Sequence, residues 1–159
     1  MKIELVIPGE PRGKGRPRIV RLKNGRSGSY TPDKTVSYEE LIRQRFRQQY
    51  PGGQAPFPAK TPVSVTIGAF FQIPRSAGKK QKLLMASNHI RPTKKPDVDN
   101  IAKIVLDALN GLAWHDDAQI THLSVVKRYV EECDRCPYVC VTVCGEGGET
   151  DGNRMDPLQ

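Results

Sequence analysis

Between Val98 and Leu112 the apolar residues recur at helical spacing and on one side only. Ile101, Ile104, Val105, Ala108, Leu109 and Leu112 fall on a single stripe, and Gly111 suits a C-terminal cap. A helix of this kind must bury its stripe against another layer. The layer is written in a different period. Val63, Val65, Ile67, Ala69 and Phe71 recur every second residue, with Ser64, Thr66 and Gly68 between them, which is the pattern of a strand with one buried face. Both periods lie within 159 residues, the size of one ordinary domain, so helices packed on a sheet are expected.

The other elements follow from weaker signals. Lys2–Ile7 reads as a first strand ended by Pro8-Gly9, and residues 9–34 read as a long basic loop rich in Gly and Pro. Ser37-Tyr38-Glu39-Glu40 is a capping box that opens a helix through about Gln49, with Leu41, Ile42 and Phe46 at helical spacing. Ser76 is placed to cap a short basic helix from Gly78 to Ala86. Ile120–Val130 and Tyr138–Cys144 suggest an antiparallel hairpin around Glu131–Pro137. Residues 145–159 are Gly-rich and acidic and read as a disordered tail. The expected architecture is a single α+β domain over residues 1–144, in the order βαβ(α)αββ, with one mixed sheet covered by helices.

Charge narrows the function. The formal net charge is +8, which suits a partner that is a polyanion. Residues 1–30 carry eight basic and two acidic groups, and residues 61–96 carry seven basic groups and no acid. Residues 97–119 reverse this, with one basic group and five acids. No apolar run approaches the roughly 18 residues that span a bilayer, and the first residues do not resemble a signal peptide, so a cytoplasmic protein without a membrane is expected. In that setting four cysteines read first as reduced thiols or metal ligands.

The acidic island admits two readings. In one, Asp99 caps the helix, Asp97 complements its dipole, and Asp116-Asp117 form a turn. In the other, Asp97, Asp99 and Asp117, with Asp116, are oxygen ligands for Mg²⁺ or Mn²⁺ beside a basic surface that brings in phosphate. The second reading supplies the parts of phosphodiester hydrolysis, with Lys103 orienting water or balancing charge. It requires the strand after Asp117 to return the carboxylates toward Asp97 and Asp99. Asp107, four residues after Lys103, is expected to pair with it on the helix surface.

Three stretches carry a resemblance. They are Lys95-Pro96-Asp97-Val98-Asp99-Asn100-Ile101-x-Lys103, then Leu106-Asp107-Ala108-Leu109-Asn110, then Trp114-His115-Asp116-Asp117-Ala118-Gln119-Ile120. Together they resemble the RusA family of Holliday-junction resolvases, and the opening Ile7-Pro8-Gly9-Glu10-Pro11-x-Gly13-Lys14-Gly15-Arg16-Pro17-Arg18 looks like that of many phage members. The resemblance implies a RusA-like fold and a homodimer that binds four-way DNA junctions and cuts two strands symmetrically with Mg²⁺ or Mn²⁺. It places the essential acids at Asp97, Asp99 and Asp117 and the essential lysine at Lys103. The basic opening differs from the shorter, Asn- and Tyr-containing start of some family members, and the four cysteines are not part of the family pattern. A nucleic-acid-binding protein without chemistry, and a metal nuclease acting on other branched DNA, are the alternatives.

Arg12, Lys14, Arg16, Arg18 and Arg21, with Lys94 and Lys95, are the candidate phosphate contacts, because charge and reach are enough to hold a DNA backbone. A solvated flexible loop is the plainer account of the first five. Cys133-x-x-Cys136 has ligand spacing, but Cys140 and Cys144 lie about 13 Å apart along a strand, so structural zinc is not expected. His115 is expected to be a bystander in the turn and Trp114 a core anchor.

Overall fold

A computed structural model describes residues 1–16, 18–21, 24–52, 55–132 and 135–145. The chain runs β1 (Lys2–Pro8), β2 (Arg18–Arg21), β3 (Ser27–Tyr30), α1 (Asp33–Gln49), β4 (Val63–Phe71), α2 (Lys79–Ala86) and α3 (Val98–Leu109), then a single 3-10 turn (Asp117–Gln119), β5 (Ile120–Tyr129) and β6 (Tyr138–Gly145). Four strands form one mixed sheet in the order β1-β6-β4-β5, which makes the domain α+β. Among the described residues no helix is long and apolar enough to cross a membrane. The acidic tail expected at 145–159 lies outside the described residues beyond Gly145.

Alternation decides which face of the sheet is buried. Ile3, Leu5 and Ile7 of β1, Val65, Ile67 and Ala69 of β4, and Val139, Val141 and Val143 of β6 all enter one core. Tyr38, Ile42 and Phe46 of α1 close it, together with Ile101, Ile104, Val105, Ala108 and Leu109 of α3. The stripe read from the sequence is therefore the packed face of α3, although Leu112 is only partly buried. Trp114 is fully buried in the same core, as expected of an anchor. On the other face a smaller cluster of Phe70, Ile73 and Val130 is backed by Met85 and Ala86 at the end of α2.

Four local expectations need correction. β5 and β6 do not form a hairpin: β4 lies between them, antiparallel to β6 and parallel to β5. The eight residues joining Tyr129 to Tyr138 easily cross the roughly 10 Å of two strand spacings, so proximity in sequence did not compel pairing. Helix α1 begins at Asp33, not Ser37, because the main-chain carbonyl of Pro32 accepts from Thr35 N and Val36 N and the Pro φ of −56° already suits a helix start. Gly78 stands at the N-cap of α2 in place of Ser76. The segment read as a long loop also contains the β2–β3 hairpin, turned where Gly25 takes a φ of +77°.

Parallel pairing of β4 and β5 gives the sheet two distinct ends. Phe71 and Tyr129 finish these strands side by side, near Pro8 and Tyr138. Val63 and Ile120 start them at the opposite end, near Lys2 and Gly145. Nine residues of β4 separate the two ends by about 27 Å.

Candidate active site and nucleic-acid interface

The segment before α3 is fastened to the end where β4 finishes. Lys94 Nζ lies 5.2 Å above the Phe71 ring, Lys127 Nζ lies 5.3 Å from the same ring, and Lys127 also donates to the Lys94 carbonyl. From there Pro96 leads into Asp97, which is extended (φ −74°, ψ 155°) and forms the N-cap. The expected N-cap, Asp99, sits instead in the first turn. Asp97 makes no capping bond, and among the described residues neither carboxylate has a hydrogen-bond or ion-pair partner. Two free carboxylates thus stand exposed at the start of a helix, where its dipole favours negative charge. One turn on, Lys103 is exposed and pairs with Asp107 at 3.3 Å, as the i, i+4 spacing predicts.

The Gly-rich loop after β1 lies directly against this helix start. Lys14 N donates to the Asn100 carbonyl at 2.9 Å, and Gly13 passes so near that a Cβ there would meet Pro96 Cβ at 2.8 Å and Asn100 Cβ at 2.9 Å. Gly15 N donates to Thr35 Oγ1, tying the loop to α1. Between loop and helix lies a cleft of about 730 Å³, bordered by Arg12, Lys14, Arg16, Lys34 and Lys95, with Asp97 in its wall. Arg12, Arg16 and Lys95 are exposed and have no carboxylate partner among the described residues, so their charges are open to a phosphate backbone.

Lys14 behaves differently from its neighbours. Its Nζ is bonded to Glu39 of α1 and lies 2.9 Å from Asp107 Oδ2 of α3. Glu39 is further held by Arg43 at 3.3 Å. Burial pushes the Asp107 carboxyl up, but hydrogen bonds from Lys14 and Lys103 outweigh it and hold the carboxyl below the ordinary range. Burial likewise pulls the Lys14 ammonium down, and Glu39 and Asp107 more than offset it. Beside them, burial pushes the Tyr38 hydroxyl up to about 12. Among the described residues that hydroxyl has no hydrogen-bond partner of ordinary geometry, although the Arg12 main chain is near enough to favour its charged form.

Asp116 and Asp117 lie at the other end of the sheet. The Trp114 indole N–H donates to Asp117 Oδ1 at 2.8 Å, so half-buried Asp117 hangs from the core anchor. Asp116 Oδ1 accepts from Ala118 N, and the main-chain N–H groups of His115 and Asp116 donate to Gln119 Oε1. Gln119 is buried and its amide nitrogen donates to the carbonyls of Pro58 and Thr61, which holds the whole turn at the start of β4. The return of Asp117 toward Asp97 and Asp99 does not occur within one chain. The twelve residues of α3 alone interpose about 18 Å of helix. Among the described residues no three His, Cys, Asp or Glu side chains are close enough to hold one metal ion.

The donors nonetheless suit a hard divalent cation. They are carboxylate oxygens, two of them on side chains with no competing partner, and Mg²⁺ is held by one or two carboxylates plus water and phosphate oxygens more often than by a full protein cage. Of the remaining candidates, Arg21 is exposed in β2, Arg18 opens that strand, and Lys94 is exposed beside Phe71. Cys136, Cys140 and Cys144 are free thiols, and Cys133 lies outside the described residues. Glu39 and Gln119 were missed by sequence reading. Both left a trace: Glu39 shares the buried helix face of Thr35, Ile42 and Phe46, and Asp116-x-x-Gln119 has capping-box spacing.

Comparison with known proteins covers the same ground. The family model of endodeoxyribonuclease RusA matches residues 8–143. The uncharacterized protein YqaN of Bacillus subtilis (strain 168) is 36% identical over 132 residues, which are 82% of this chain and 89% of that protein. The family match takes in the Gly-rich loop, the cleft, both pairs of carboxylates and nearly all of the last strand, and the chain belongs to the RusA endodeoxyribonuclease family.

Proposed function

We propose that the protein is a metal-dependent, structure-selective DNA endonuclease that resolves Holliday junctions by paired, symmetric phosphodiester hydrolysis, and that it acts as a homodimer. Membership of an endodeoxyribonuclease family supports the reaction class. The observation that carries the reading is the cleft in which unpaired cations surround the free carboxylate of Asp97. A basic cleft alone would bind DNA, and carboxylates inside it repel phosphate unless they have work with a cation.

The separation of the two carboxylate pairs supports the dimer. One chain presents Asp97 and Asp99 at one end of the sheet and Asp117 at the other, so a complete set of three requires Asp117 of a second copy. Two-fold symmetry would then build two equivalent sites, which is what two matched cuts on a four-armed substrate require. In each site Asp97, Asp99 and Asp117 would hold Mg²⁺ or Mn²⁺, whose Lewis acidity polarises the phosphoryl oxygen and acidifies a bound water. Arg12, Arg16 and Lys95 hold the flanking phosphates. Lys103, exposed and tethered only through Asp107, balances the charge that builds on the phosphoryl group. Trp114 fixes one oxygen of Asp117, and the other has no hydrogen-bond partner among the described residues.

The test is incubation of the protein with an immobile four-way junction, a fork and a linear duplex of shared sequence, in Mg²⁺, Mn²⁺ or EDTA. Paired symmetric nicks on the junction, absent in EDTA, are expected. Shifted but uncut DNA in both metals would reject the nuclease and favour a binding module. Cutting confined to the fork would transfer the activity to other branched DNA.

A further inference from the structure

Among the described residues the β2–β3 hairpin pairs with no other strand. Its strands pack chiefly on each other, and a lone two-stranded ribbon is marginal in water. Even so it exposes its largest apolar side chains: Ile19 is 80% exposed and Val20 43%. Strand alternation puts Ile19 and Arg21 on one face, across from Ser29 and Ser27 of β3. That face is an aliphatic knob beside a guanidinium, with only small hydroxyls opposite, and among the described residues Ile19 is left 80% exposed. Residues 15–32 contain five Arg or Lys and no acid, and Arg16, Arg21 and Arg26 are exposed, so the surface around it is complementary to a polyanion. Both stems of the hairpin, at Arg16 and Pro32, border the cleft that contains Asp97.

An aliphatic side chain held among phosphate-binding cations finds its broadest apolar surface on DNA at the face of a base that has lost its stacking neighbour, wider than the lone thymine methyl of an intact groove. We propose that the hairpin is a wedge that seats Ile19 against an unstacked base at the branch point, while Arg16 and Arg21 hold the phosphates on either side. This rests on the reading of branched DNA as substrate. In continuous duplex such insertion costs a few kcal/mol of unstacking, whereas a four-way junction already interrupts the stack. The wedge therefore selects by structure and not by sequence.

The experiment uses the full chain in EDTA, so that no strand is cut, with a four-way junction carrying 2-aminopurine beside the branch point. Wild type and Ile19→Leu are expected to raise its fluorescence on binding. Ile19→Ser should leave the signal near that of free junction and weaken junction binding roughly tenfold, the scale of one lost base contact, with duplex binding little changed. An unchanged fluorescence rise with Ile19→Ser would overturn the wedge, and so would equal loss of junction and duplex binding. A wild type that binds duplex as well as junction would overturn the substrate reading together with the wedge. A selective wild type with an equally selective Ile19→Ser would overturn the wedge alone.

Discussion

Lys14 and Arg16 stand two residues apart in one basic loop, yet their surroundings assign them opposite work. Arg16 faces solvent with no acid beside it, while Lys14 is turned inward between Glu39 and Asp107. Arg16→Ala is expected to lower the salt dependence of DNA binding by a slope of about 0.9 and to leave thermal stability unchanged. Lys14→Met should do the reverse, keeping the slope and costing about 1–3 kcal/mol, because the nearly buried Glu39 loses its closest partner. Salt titration and thermal melting of the two variants separate these outcomes. The same clamp has a pH window. The Asp107 carboxyl is held below its ordinary range, so its contribution is present above that range and is lost as pH falls through the lowered value. The Lys14 ammonium is raised, so its contribution is present below the ordinary lysine range and is lost as pH rises past it. Hydrogen exchange of Lys14 N–H, bonded to Asn100, should therefore stay protected from mild acid to mild alkali and lose protection in strong acid.

At the scale of elements, the loop and α3 form one unit because a glycine lets them touch. Gly13→Ala would drive a methyl group into Pro96 and Asn100 and is expected to cost about 1–3 kcal/mol, with the Lys14–Asn100 bond lost first. Exchange of that amide, compared with amides of β4, checks whether the damage is local. What was legible in the sequence follows the same division between near and far. The stripe of α3, the alternation of β4 and the Lys103–Asp107 pair are set by spacing within one element; the first and third are as read, whereas the single buried face of β4 holds only to Ile67 and both faces are buried from Gly68 to Phe71. The partner of β5 is set by packing across the sheet, and no local pattern records it. The four-residue strands of the β2–β3 hairpin are too short to show a period, and their Arg, Gly and Ser content reads as loop. Asp97 and Asp99 were legible as a pair, but their distance from Asp117 depends on which end of the sheet β5 starts from.

For the whole molecule, that distance makes the proposed dimer testable without a structure of it. Asp97→Asn and Asp117→Asn chains should each be inactive alone and regain cutting when mixed after co-expression. If each site draws Asp97 from one copy and Asp117 from the other, a mixed dimer has one site carrying both changes and one carrying none. It would nick a single strand per junction instead of a matched pair. Were each site built within one chain, both sites of the mixed dimer would carry a change and the mixture would stay silent.

The strand order also bears on how the chain is made. Among the described strands β6 is the last to leave the ribosome, yet it occupies the middle of the sheet, with β1 on one side and β4 on the other. Until residues 138–145 emerge, the first strand has nothing to pair with and the core is open along its length. A chain that stops before residue 138 therefore leaves the gap between β1 and β4 unfilled and their buried faces without the Val139, Val141 and Val143 that join them into one core.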